Sequence, residues 1–168
     1  MLNIARILRD GTLLAIIGSV YILAIMHYDP RLFLNPGDFP KDILDAVPPK
    51  TEEEKRQAMI LGIPFFVGLL GGPLLSALAL QREAAGGVPL MNLSLHTFGV
   101  LMIPNLVDLV ILDWLLFCTI TPRFMVVPGT EGFTGYKDYR FHLRGHARGT
   151  ALMAVLSVVV ATVVFLLG

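Results

Sequence analysis

Long apolar runs alternate with short polar ones along this chain, and four of the runs have the length that a membrane crossing needs. Spanning the hydrocarbon takes roughly 20 apolar residues, and the runs at about 11–27, 52–80, 95–119 and 147–167 meet or approach that length. In lipid each backbone polar group must be satisfied within its own segment, so all four are predicted as helices. The pattern predicts an all-α integral membrane protein with four transmembrane helices. It forms a single domain over 1–168, with two long ordered loops, 28–51 and 120–146, on the same side.

The first run, GTLLAIIGSVYILAIMH, is at the short limit. No small-x-small cleavage site follows it at 28–32, so it is read as a retained span rather than a leader. The second contains Pro64 and Pro73, and the third contains Pro104 and two aspartates. The fourth is built almost wholly of Ala, Val, Leu, Thr and Met. Between the first two, Asp38-Phe39-Pro40 opens a short helical run, KDILDAV, which Pro48-Pro49 stops. Thr51 and Glu54 then match a capping box, so the second helix is expected to start near residue 52 and stand out of the bilayer for its first two turns.

Composition agrees with this pattern. Hydrophobic residues make up 55% of the chain and charged ones 15%, with a mean hydropathy of +0.71, whereas a soluble domain averages about a quarter charged. A net charge of zero gives no bulk attraction for nucleic acid, and the lipid bilayer is the first expected partner. The single cysteine, Cys118, excludes an internal disulfide and a multi-cysteine metal site.

The distribution of charge is more informative than its sum. The N-terminus and the 81–94 turn share one side and carry three Lys or Arg residues, against ten in the 28–57 and 120–146 loops and the root of the fourth span. Short Lys/Arg-rich loops stay in the cytoplasm. A multi-pass protein of the inner membrane is therefore expected, with both termini extracytoplasmic. Loop 28–57 holds seven acids and five bases, while 120–148 holds two acids and five bases. Opposite charge on one side suggests that the loops dock on each other.

Candidate chemistry lies where polar groups enter apolar runs. An ionisable residue inside a span costs about 2.5–3.5 kcal/mol on insertion scales and faces an interior or cavity. The third span carries Asn105, Asp108 and Asp113, which at 100° per residue fall within an arc of roughly 140°, just after the kink expected at Pro104. Two readings are open. Asp108 is a proton- or cation-carrying carboxylate, or Asp113 is an interfacial residue bonded to a loop arginine while Asp108 bonds Asn105 or another helix.

Three histidines join the same side: His27 at the end of span one, and His142 and His146 before span four. His142 and His146 are i, i+4, a spacing that metal sites use. The HExxH pattern is missing, however, and neighbouring arginines disfavour a cation, so no metal or cofactor is assigned and these two are the only candidate ligands. A haem between His27 and His96 fails because those residues sit at opposite membrane faces. Arg140, Arg144 and Arg148 are candidates for anionic headgroups. Gly68 and Gly72 form a GxxxG pair for close helix approach, as do Gly145 and Gly149. The glycines of Pro128-Gly129-Thr130-Glu131-Gly132 mark a tight turn and not a phosphate loop.

Three functions compete. The first is a protein that binds or helps translocate an ion or small solute through the Asp108/Asp113 region near the cytoplasmic face, as a homo-oligomer or within a larger membrane complex. The second is an enzyme acting on a lipid or isoprenoid headgroup, using Asp113, His142, His146, Glu131, Tyr136 and Tyr139. The third is an accessory subunit of a larger membrane complex. Whether the chain is an enzyme is left open by its residues alone.

Overall fold

The computed structural model describes residues 2–167 except Ala85. Every regular element is helical, with no strand among the described residues. The long helices are α1 (Ile4–Tyr28), α3 (Glu52–Glu83), α4 (Leu90–Val107) and α5 (Tyr139–Leu167), and α2 (Lys41–Ala46) is a short helix in the first long loop. At Asp108 the winding of α4 widens, and the chain continues as a π-helix to Ile120. Short 3₁₀ turns occupy Pro30–Phe33, Arg123–Met125 and Thr134–Lys137.

Four helical segments, Ile4–Tyr28, Glu52–Glu83, Leu90–Ile120 and Tyr139–Leu167, are long and apolar enough to cross a membrane. Their apolar side chains are largely exposed: only 6% of the most apolar stretch of α3 is buried, and 17% of that in α1 and α5. Large aliphatic groups turned outward in this number, among them Ile16, Ile17, Val67, Val155 and Val159, are what a helix surrounded by lipid presents.

The segments reach beyond the apolar runs that mark them. α1 begins at Ile4 and α5 at Tyr139, so their polar first turns are helical as well. α3 begins at Glu52, with the capping box made in both directions. The Glu54 amide donates to Thr51 Oγ1 at 3.2 Å, and the Thr51 amide donates to Glu54 Oε2 at 2.6 Å. The same carboxylate receives Arg31 Nε at 2.5 Å, which ties the first loop to the helix start.

By contact density the chain divides into two compact units. One comprises Met1–Gly18, Phe66–Leu106 and Ala147–Gly168. Its core joins Ala77, Leu80, Val88, Leu93, Val160, Ala161 and Val164. Glycines let its helices approach closely: a Cβ on Gly72 would stand 2.5 Å from Leu14 Cδ2, whereas Gly68 has open space around it. Of that GxxxG pair, therefore, one member makes a contact within the unit.

The other unit comprises Ser19–Phe65 and Val107–His146 and contains both long loops. Its core is aromatic and aliphatic: Met26, Leu34, Phe39, Ile43, Phe117, Cys118, Met125, Val127 and Tyr136. The loops dock mainly through apolar side chains rather than through the opposite charges that suggested docking. Phe39 and Ile43 from the first pack with Tyr136 and Val127 from the second. The turn at 128–132 has Gly129 and Gly132 at φ +88 and +81, the left-handed region that glycine tolerates. Thr130 at its centre is fully buried, held by bonds to Val127 O at 2.7 Å and to the Tyr136 hydroxyl at 2.8 Å.

Candidate functional site: a carboxylate shared by two histidines

The first turns of α5 and the π-helical continuation of α4 supply the cluster. His142 and His146, one turn apart on α5, point their rings to one side as their i, i+4 spacing requires. Both reach the same oxygen. His142 Nδ1 lies 3.0 Å from Asp113 Oδ2, and His146 Nε2 lies 2.9 Å from it. Asp108 Oδ2 stands 3.8 Å from His146 Nε2.

The π-winding explains how two aspartates five residues apart meet the same histidine. At 100° per residue they would lie roughly 140° apart around the helix. In a turn closed by i→i+5 bonds, with roughly 4.4 residues per turn, the angle falls to about 50°. The wide turn is visible in its bonds. Thr119 Oγ1 donates to Trp114 O at 2.7 Å, and the Thr121 amide donates to Leu116 O at 2.7 Å, each reaching back five residues. Thr121, at φ 51, ends the segment in the left-handed conformation, and Lys137 Nζ bonds Thr119 O at 3.2 Å and Thr121 Oγ1 at 2.6 Å. A cation there complements the negative end of the helix dipole. Trp114 Nε1 donates to Tyr139 O at 3.3 Å, which links the segment to the start of α5.

Side-chain exposure grades the cluster from 38% at Asp108 through 21% at Asp113 and 14% at His146 to 6% at His142. Asp108 is therefore the most exposed of the four. The deepest member, His142, is wedged edge-on against Phe117 at 5.0 Å and Phe141 at 5.2 Å. Its Nε2 is buried without a hydrogen-bond partner among the described residues.

Sequence reasoning missed one acid. Asp38, beside α2, acts electrostatically on Asp113 and His142. It receives the Asn35 amide, yet desolvation of its carboxyl by the surrounding protein holds it above the usual carboxylate range, although the residue is exposed. Lys50, bonded to Leu32 O at 3.0 Å, is the cation that bears on it. Nothing in the spacing of the first loop signalled that contribution, because it depends on how the loop packs.

Other expected members stand elsewhere. Asn105 belongs to the other compact unit, where its amide donates to Thr150 Oγ1 at 3.2 Å. His27 is exposed and packs edge-on against Phe124 at 5.5 Å. Asp113 meets His142 and His146 of α5, and Asp108 stands 3.8 Å from His146 of the same helix, the contact with another helix that one of the two sequence readings expects. Arg140 and Arg144 are exposed in the first turns of α5, and Arg148 is exposed in the other unit.

Among the described residues no group of three or more His, Cys, Asp or Glu is arranged to hold a metal ion. The short N–O separations here are those of hydrogen bonds. Comparison with protein-family models, with curated proteins and with solved structures returned no match for this chain.

Proposed function

We propose that the chain is a multi-pass inner-membrane protein whose Asp108–His146–Asp113–His142 cluster binds a small cation in competition with protons and helps to move it. The carrying observation is the single Asp113 oxygen that faces two imidazoles, with Asp108 beside them. The ten-to-three excess of Lys and Arg supports both termini outside and the long loops in the cytoplasm. Four helices offer little room for a pathway, so transport requires a homo-oligomer or a larger membrane complex. The test is flux in proteoliposomes under an imposed pH gradient, with sodium, potassium or neither on the outside. Asp108→Asn keeps the shape and removes the charge, so it should abolish flux. Undiminished flux in that variant rejects the reading.

A second reading has its own support. A recess of about 780 Å³ beside the second loop is lined by Thr121, Arg123, Glu131, Tyr136 and Lys137 among others. Two cations over an apolar wall suit an anionic lipid headgroup, which is what the enzyme alternative requires. Phosphorus NMR of a short-chain anionic phospholipid added to the protein separates the two. Line broadening lost in Arg123→Ala favours the headgroup, and no broadening removes it.

A further inference from the structure

The other compact unit holds a buried polar chain that the cation cluster does not use. Asp10 lies six residues into α1, His96 six residues into α4, and Ser76 seven before the end of α3. All three thus sit roughly 9–10 Å inside their helix ends. Ser76 Oγ donates to Asp10 Oδ2 at 2.6 Å and stands 2.8 Å from His96 Nε2. A hydroxyl has one proton. With that proton given to Asp10, Ser76 can only accept from His96, so Nε2 carries hydrogen and Nδ1 holds the lone pair. Nδ1 is buried and without a hydrogen-bond partner among the described residues, and His96 is fully enclosed. An unmet buried acceptor is destabilising, a penalty that packing alone would avoid with an apolar residue.

We propose that Asp10, Ser76 and His96 form a proton relay, with His96 Nδ1 as the atom that takes the proton. A proton delivered by hydronium forms an Nδ1–H bond, leaves water behind and gives an imidazolium. The Nε2–H bond then breaks toward the Ser76 oxygen as the Ser76 proton passes to Asp10. The products are a neutral Asp10 carboxyl, a regenerated hydroxyl and a neutral imidazole bearing hydrogen on Nδ1. One proton has crossed from the unpartnered side of the ring to the carboxylate, and nothing is oxidised or reduced. The charges around the path come from two helices. Arg9 Nε bonds the other Asp10 oxygen at 2.7 Å and opposes its protonation. Arg6, paired with Glu83 at 2.6 Å, acts on both Asp10 and His96, and Glu83 acts on Arg9.

The relay involves none of the residues of the cation cluster, so the two stand or fall separately. The test is pH titration of the full chain in lipid bilayers by NMR, with nitrogen-labelled histidine and carboxyl-labelled aspartate. The expected result is a neutral His96 with hydrogen on Nε2 at high pH, and Asp10 and His96 signals that change with one common midpoint. Ser76→Ala should abolish that common midpoint, and Ser76→Thr, which keeps the hydroxyl, should restore it. The opposite neutral tautomer, a His96 that never titrates, or Asp10 and His96 midpoints that stay linked in Ser76→Ala would each overturn the proposal.

Discussion

The Asp42 carboxylate, on the first long loop, accepts the backbone N–H of Gly135, on the second, at 2.8 Å. The contact needs a glycine, since a Cβ at 135 would come within 2.2 Å of Asp42 Oδ1. Gly135→Ala should therefore push the carboxylate off the amide. A charge-assisted bond contributes about 1.5–3 kcal/mol, and Asp42 is an exposed residue, so a loss near 1 kcal/mol is expected. Thermal unfolding in detergent should show matching falls for Gly135→Ala and Asp42→Ala, and no further fall when the two are combined.

Asp113 holds two histidines on one oxygen, so its replacement should disturb both together. Asp113→Asn loses the charge and should destabilise the unit by about 2 kcal/mol or more, as removal of one partner of a buried pair does. His146→Gln should cost less, because Asp113 keeps its bond to the more deeply buried His142. Unfolding midpoints in one detergent give the order, and equal effects would contradict the shared-oxygen geometry.

Tyr136 gives a pH signature. Its hydroxyl accepts the Val127 amide at 2.9 Å and shares a hydrogen bond with Thr130, and burial pushes the phenol above its ordinary value of 10.0. The folded state thus binds this proton more tightly than the unfolded chain does. The stabilisation is full below the ordinary phenol range and is lost as pH rises through the folded value. The phenolate absorbance of Tyr136 should appear later in an alkaline titration than that of a free phenol. Tyr136→Phe should remove that late component and flatten the alkaline fall in stability.

Gly72 and Gly68 differ by one contact. Gly72→Leu collides with Leu14, and overpacking of this kind costs about 1–3 kcal/mol. Gly68→Leu enters open space and should leave the unfolding midpoint unchanged or raise it slightly.

The sequence carried the four long helices plainly, because the thickness of hydrocarbon and the need to satisfy backbone groups leave few alternatives. The capping box of Thr51 and Glu54 was legible for a similar reason, since two orphan amides need two named acceptors. Helix starts were less so. Hydropathy marks where a chain turns apolar and not where its hydrogen bonds begin, and α1 and α5 are already helical through Arg6 and His142. The pairing of His142 with His146 could be read from spacing. Their meeting with both aspartates could not. Apart from Asp108 and Asp113, residues 108–118 are apolar, so neither a 3.6-residue nor a wider period leaves a trace. The regular helical projection that groups Asn105 with Asp108 and Asp113 stops at Val107, where the wider winding begins.

The widened turn has a mechanical consequence. Its hydrogen bonds can pass from i+5 to i+4 partners without any net loss in number, so the two windings differ little in bonding and much in rotation. Passing between them turns Asp113 by roughly 90° relative to Asp108. Trp114, tied to Tyr139 O at 3.3 Å, would be carried with it. A change of charge at Asp113 would then be felt as torque along a helix, reaching residues that no side chain of the cluster touches.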